Sequence, residues 1–354
     1  MARRRTQARA RGKGGGRPRY RWARWPRERL LDMRLCDLGL SVAGSWIEQP
    51  IERVCAELAA RGLRFRPHFW LSDEWFTPDD VPGIAVPFYL AHPRLLRLER
   101  RQMLEVEGGT RATVMAVLRH EAGHALQNAF ELHGLRRWQR VFGRASQPYP
   151  DVYRPNPASK RFVQHLDGWY AQSHPAEDFA ETFAVWLTPR SDWRRRYEGW
   201  TALKKLEFVD ALMQEIAGRR PKNRSRARTD EVSRLRKTLR QYYDEKSEYH
   251  APGYSDGYDL ELRRLFVSGA DERNRPRAAS FLRRHRREIR ELVSRWTGEY
   301  EFALDQVLKE MIGRCRELNL RTAGGEDRLK LDFAIVLTMH TMSCMHRGRQ
   351  WRRV

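Results

Sequence analysis

The chain has 354 residues, 41% of them apolar, which is enough for one large core or two modest ones and excludes wholesale disorder. Lys and Arg number 68 against 45 Asp and Glu, a net charge of +23, so its surface favours polyanionic surroundings such as nucleic acid or anionic membranes. The four cysteines (Cys36, Cys55, Cys315 and Cys344) form no C-x-x-C pair, which argues against a disulfide framework and against a cysteine-ligated zinc site.

Residues 1–29 hold twelve Arg or Lys and a single acid, Glu28, and read as a disordered Arg-rich tail. No apolar run follows this basic start, so no secretory signal is expected and the expected location is cytoplasmic. Residues 50–61 carry apolar positions at helical spacing (Ile51, Val54, Cys55, Leu58), with Pro50 near the start and Gly62 as a stop. Residues 63–76 alternate and are rich in aromatics, as a strand would be. After the Pro82-Gly83 turn, residues 84–91 read as extended, and Pro87 demotes them to an edge strand. Gly108-Gly109 breaks the chain before a long helix over residues 111–132. Residues 142–174 are irregular, marked by Pro148, Pro150, Pro155 and Pro157, and such long aperiodic stretches usually serve as lids or binding loops.

A helix is predicted over residues 175–187. Basic helices follow over 200–217, 229–243, 278–296, 301–318 and 328–344, with a hinge at 218–228. This divides the chain into a tail (1–29), a first domain (30–217) and a basic helical extension (218–354). The longest apolar stretch, residues 331–345, contains charged, polar and His positions and is too short to span a bilayer.

Within the helix over 111–132 stands His120-Glu121-Ala122-Gly123-His124. Two histidines at i and i+4 lie on one helical face roughly 6 Å apart, so both rings can reach one Zn²⁺ at about 2.0–2.1 Å. Glu121, slightly offset on that face, sits beside the open coordination position, where a carboxylate can take a proton from water and return it to a leaving amine. Gly123, costly in mid-helix by roughly 1 kcal/mol, makes sense where another element approaches closely. The best third ligand is Glu177. It and Glu181 form an i,i+4 pair on one face, shared with the small residues Ala180 and Ala184, and Glu181 is placed to accept the second N–H of a ligand histidine.

His120-Glu121-x-x-His124 followed by Glu177-x-x-x-Glu181 resembles the Glu-ligand branch of the zincins, the gluzincins. More narrowly, Gly168-Trp169-Tyr170 and the run from His174 to Ala184 resemble a bacterial family of zinc-binding metallopeptidases, over about residues 45–265. The resemblance implies an α+β fold: a zincin-like domain with a small mixed sheet and an HExxH active-site helix, followed here by the basic, mostly α-helical extension. It implies Zn²⁺ held by His120, His124 and Glu177, with Glu121 as catalytic base. It further implies an edge strand at residues 84–91 on which a peptide substrate lies by β-addition. Toxin-type zincins carry a tyrosine shortly before the third ligand, which makes Tyr170 the first choice for stabilising the oxyanion, ahead of His250 and Tyr254. His174 is read as a helix cap.

Residues 283–287 (Arg-Arg-His-Arg-Arg) and the Arg-rich C-terminus add to the positive field and could give sequence-independent nucleic-acid binding. A positive field reaching the cleft would favour acidic substrates. The sequence thus reads as a zinc metallopeptidase acting on protein or peptide. The alternatives are a nucleic-acid-associated protease, or a basic nucleic-acid-binding protein with a structural or vestigial zinc site.

Overall fold

In the computed structural model, which describes residues 20–150, 152–250, 257–269, 272, 274–346 and 352–353, the chain enters the fold at Tyr20. Helices α1 (Arg27–Leu31) and α2 (Glu48–Ala60) precede strands β1 (His68–Ser72) and β2 (Gly83–Pro87). Then come α3 (Pro93–Met103), α4 (Arg111–Phe130), α5 (Arg136–Phe142), β3 (Val152–Tyr153) and α6 (Pro175–Leu187). The remainder is α7 (Trp193–Arg196), α8 (Ala202–Ile216), α9 (Leu239–Tyr249), α10 (Asp259–Leu265), α11 (Ala278–Thr297), α12 (Glu301–Glu317), α13 (Glu326–His346) and β4 (Arg352–Arg353). The architecture is mixed but mostly helical. No helix among the described residues is long and apolar enough to cross a membrane.

The expected disordered tail is corrected at its inner end. Trp22 is 3% exposed, packs in the main core and donates its indole N–H to Leu38 O at 3.0 Å, which anchors the chain seven residues ahead of Arg29. Residues 1–19 lie outside the described residues. The expected small mixed sheet is also corrected: β1 and β2 form a two-stranded parallel pair, and β3 and β4 a separate antiparallel one. The strand expected over residues 63–76 shrinks to β1. Pro67 withholds a ladder donor before it, and the chain bends at Asp73 and Glu74 after it.

β2 is not the free edge the resemblance implied. Ile84, Ala85 and Val86 are fully buried, and the side of β2 away from β1 is occupied where Ala85 N donates to Phe76 O at 2.9 Å. The outer, half-buried edge is instead the segment around Phe76.

The expected hinge at residues 218–228 and helix at 229–243 are corrected as well. Alternate residues on one face of β1 all bond the backbone of this segment. His68 Nε2 lies 2.9 Å from Ala227 O, Trp70 Nε1 donates to Thr229 O at 2.8 Å, and Ser72 Oγ donates to Asp230 O at 2.7 Å. A stretch whose carbonyls serve β1 cannot close helical hydrogen bonds. The helix starts only at Leu239, where Thr238 and Gln241 form a reciprocal cap. Val232, Leu239, Tyr242 and Tyr243 belong to the first core, whereas a second core begins at Tyr258 and is built by α10 to α13. The first hydrophobic core therefore reaches through α9, and the second is built from Tyr258 onward. Helix boundaries elsewhere follow the expectations within a few residues, and α6 spans Pro175–Leu187 as predicted.

α4 and α6 cross closely. A Cβ placed on Gly123 would lie 2.9 Å from Ala180 Cα and 3.2 Å from Phe183 Cδ1. α2 is tied to α4 by a two-pronged ion pair, with Arg119 Nε and a terminal nitrogen each 2.8 Å from Glu57. The second core meets the first where Tyr300 and Phe302 pack against it, His250 stacks on Tyr300 at 4.3 Å, and Glu301 N donates to Glu105 Oε2 at 3.4 Å.

Two expected outcomes follow from this packing. Gly123→Ala gains helix propensity of about 1 kcal/mol. It also forces the Ala180 backbone away, and overpacking of that kind costs roughly 1–3 kcal/mol, so a net loss in thermal stability is expected, seen as a lower melting midpoint. Burial pushes the Glu105 carboxyl up to about 8. The folded chain then holds a proton that the unfolded chain releases, so stability falls as pH rises from the ordinary carboxylate range through about 8. Denaturant midpoints measured at about pH 5.5 and about pH 8.5 should show a smaller decline for Glu105→Gln than for the wild type; equal declines would place the pH dependence elsewhere.

Candidate metal centre

Thr110 and Thr113 cap the N-terminus of α4 reciprocally, which fixes the start of the helix that carries His120, Glu121 and His124. His174 caps α6, its Nδ1 accepting from Ala176 N at 3.2 Å, and Pro175 fills the first helical position. With Nδ1 accepting, Nε2 carries the proton and donates to Gln147 O at 3.0 Å. The cap expected of His174 thus also ties down the irregular segment before it.

The close α4–α6 crossing brings three donors together. His120 Nε2, His124 Nε2 and Glu177 Oε2 are separated by 3.1, 3.2 and 3.0 Å. For a tetrahedral ion bonded at about 2.0–2.1 Å, donor atoms stand about 3.3 Å apart, so this triangle is the right size for one ion. Among the described residues these three are the group able to hold a metal. The chemistry of the donors also fits. His120 turns Nδ1 to Glu181 Oε1 at 2.9 Å, which leaves Nε2 aimed at the triangle. Glu181 is fully buried, and its other oxygen accepts from Leu166 N at 2.9 Å and His165 N at 3.3 Å.

Burial disfavours charge on both Glu177 and His120, but their mutual attraction wins. His124 and His120 hold the Glu177 carboxyl well below the usual range, and Glu177 and Glu181 hold His120 well above its ordinary value. A divalent cation at the triangle would substitute for the proton this arrangement attracts.

Glu121 is 7% exposed and is not one of the three converging donors. Its Oε2 accepts from Thr77 Oγ1 at 2.9 Å. Tyr170 packs its ring 5.7 Å from that of His120. His250 is not brought to the cluster; it stacks on Tyr300 and meets Tyr249 edge to face, with burial pushing its ring down to about 4. Tyr254 lies outside the described residues.

Sequence reading missed two neighbours of the site. Thr77, in the segment outside β2, holds Glu121. Tyr149, 45% exposed, donates to Glu177 Oε1 at 2.8 Å and stacks on His174 with ring centres 3.8 Å apart. The available signal for Tyr149 was its place between Pro148 and Pro150, where the flanking prolines favour an extended backbone in the irregular segment.

Burial raises the Tyr149 and Tyr170 hydroxyls, and Glu177 and Glu121 raise both further.

Residues 94–197 match a protein family described as "Putative zinc-binding metallo-peptidase". The matched segment, under a third of the chain, runs from α3 to just past α7 and contains His120, Glu121, His124, Glu177 and Glu181. No curated protein and no solved structure matches the chain. Over residues 94–197, the chain is similar to this zinc-binding metallopeptidase family.

Proposed function

We propose that the chain is a zinc-dependent peptidase of the zincin type with a glutamate as third ligand, hydrolysing peptide bonds in protein or peptide substrates. The observation that carries this reading is the triangle of His120, His124 and Glu177 donors, with the Glu121 carboxylate held beside it and not within it. His120, His124 and Glu177 would hold the ion. Zinc bound there supplies Lewis acidity, polarising a carbonyl and making water more acidic.

The chain's own groups do the rest. Thr77 occupies Oε2 of Glu121, so Oε1 is the atom proposed to take a proton from water and pass it to the departing amine. Glu181 fixes the orientation of His120 through Nδ1. Tyr170, beside the His120 ring, is proposed to donate to the developing oxyanion, and Tyr149 to position Glu177. The peptide is proposed to lie along the half-buried edge near Phe76 and Thr77, since β2 itself is covered. The free thiols of Cys36, Cys55 and Cys315 support a reducing, cytoplasmic setting.

A structural zinc site is the weaker alternative, because it has no use for a carboxylate poised beside an open position. The Arg283–Arg287 run offers a nucleic-acid-binding reading little support. Arg284, Arg286 and Arg287 each pair with an acid, at Glu326, Asp305 and Glu291.

Elemental analysis of the purified chain tests the ion: about one zinc per chain is expected in the wild type and in Glu121→Gln, and loss of zinc in Glu177→Ala. Glu121→Gln is expected to lower peptide hydrolysis by about 10²–10⁴-fold, and activity unchanged in that variant would sink the mechanism. The two tyrosines separate by readout. Tyr170→Phe should lower kcat by about 10²–10³-fold at unchanged zinc content. Tyr149→Phe should instead speed zinc loss to a chelator, and the reverse assignment would exchange their roles.

A further inference from the structure

In the helical region built by α10 to α13, many arginines are paired with nearby acids. Arg290 Nε lies 2.9 Å from Glu301 and its terminal nitrogen 3.2 Å from Asp305; Arg287 Nε lies 2.7 Å from Glu291, and Arg314 Nε 2.6 Å from Asp259. Arg286 makes a two-pronged pair with Asp305. Four of the arginines that have no ion pair among the described residues gather in one place. Arg277, Arg283, Arg316 and Arg321 converge on one solvent-open recess, whose lining among the described residues contains no carboxylate. None of the four makes an ion pair among the described residues.

The backbone forces this convergence. Arg277 and Arg321 stand directly opposite each other in an antiparallel bridge, held by Ala278 N donating to Leu320 O and Thr322 N to Pro276 O, each at 3.0 Å. Like charges placed opposite one another across a bridge are destabilising. Backbone acceptors take up only part of the donor capacity. Arg283 Nε donates to Ala279 O at 3.1 Å, and a terminal nitrogen of Arg321 to Arg275 O at 3.2 Å. These bonds hold the two guanidinium groups in place and leave further N–H groups for a ligand. The remaining lining is neutral, with Asn319, Leu320 and Cys315, a buried thiol that burial raises to about 12. α11 begins at this recess with no side-chain cap and no acid in its first turn, so its dipole adds to the positive field.

We propose that this recess binds a multiply charged phosphate group. A single carboxylate brings one charge and two acceptor oxygens, too few for four guanidinium forks. A pyrophosphate or closely spaced phosphates bring several of each, and any two oxygens of one phosphate can meet the planar fork of a guanidinium. The site lies outside residues 94–197 and does not depend on the peptidase reading.

The test uses the full chain and inorganic pyrophosphate, with binding followed by calorimetry at constant ionic strength. Wild type should bind, Arg316→Ala/Arg321→Ala should bind at least about tenfold more weakly, and Arg287→Ala, whose partner is Glu291, should bind like wild type. Unchanged melting midpoints confirm that the variants fold. A second arm asks whether a short single-stranded oligonucleotide displaces pyrophosphate. Displacement assigns the site to the phosphates of a nucleic-acid strand, and binding of pyrophosphate without displacement assigns it to a small phosphate ligand. The proposal is overturned if the wild type shows no binding above a chloride control, or if the double variant binds as the wild type does.

Discussion

The triangle of candidate metal donors depends on how closely α4 and α6 can approach. At Gly123 the two backbones are near enough that even a methyl group would press on Ala180 Cα. Only at that separation do side chains of ordinary length on two helices put His120, His124 and Glu177 donors within 3.0–3.2 Å of one another. A wider crossing would leave a histidine pair and a carboxylate facing across a gap, with ligands for no single ion. The smallest residue in the motif therefore bears on the chemistry through distance, although it touches nothing reactive.

Drawing the helices together buries charge, and the surrounding structure compensates. Glu181 is fully buried, a placement whose desolvation costs several kcal/mol. Two backbone N–H groups and the His120 ring answer it, each bond to a charged group being worth about 1.5–3 kcal/mol. The donors at His165 and Leu166 come from the irregular stretch before α6, so that stretch is fixed by the same carboxylate that orients His120. His174 extends the arrangement by capping α6, bonding Gln147 and carrying Tyr149 over Glu177. The loop and the metal donors are thus one connected network, and a change in either is felt in the other.

Features set by local rules were legible in the sequence. Helix α6 starts at Pro175 because a proline loses nothing at a first helical position, and the i,i+4 spacings of His120 with His124 and of Glu177 with Glu181 dictate shared faces whatever the tertiary fold. Features that need a distant partner were not legible. Thr77 looks like any turn threonine until Phe76 is laid against β2. Residues 227–230 have a hinge-like composition, yet they are held because His68, Trp70 and Ser72 point alternately at their backbone. Trp22 stands in a run of arginines whose composition signals disorder, and a single indole-to-carbonyl bond with burial in the core overrides that signal.

Net charge is a coarse guide for a related reason: +23 is a sum over the chain, whereas a screened field acts over about 8–10 Å. Around the metal donors the neighbours are carboxylates, which raise the hydroxyls of Tyr149 and Tyr170. In the helical domain, the run of arginines at residues 283–287 is largely spent on Asp305, Glu291 and Glu326. The four unpaired arginines that gather at one recess are Arg277, Arg283, Arg316 and Arg321, only one of which belongs to that run. Pairing, not abundance, decides where positive charge is available to a ligand. In this chain that places a carboxylate-rich candidate metal site and an arginine-lined recess on separate cores of one basic protein.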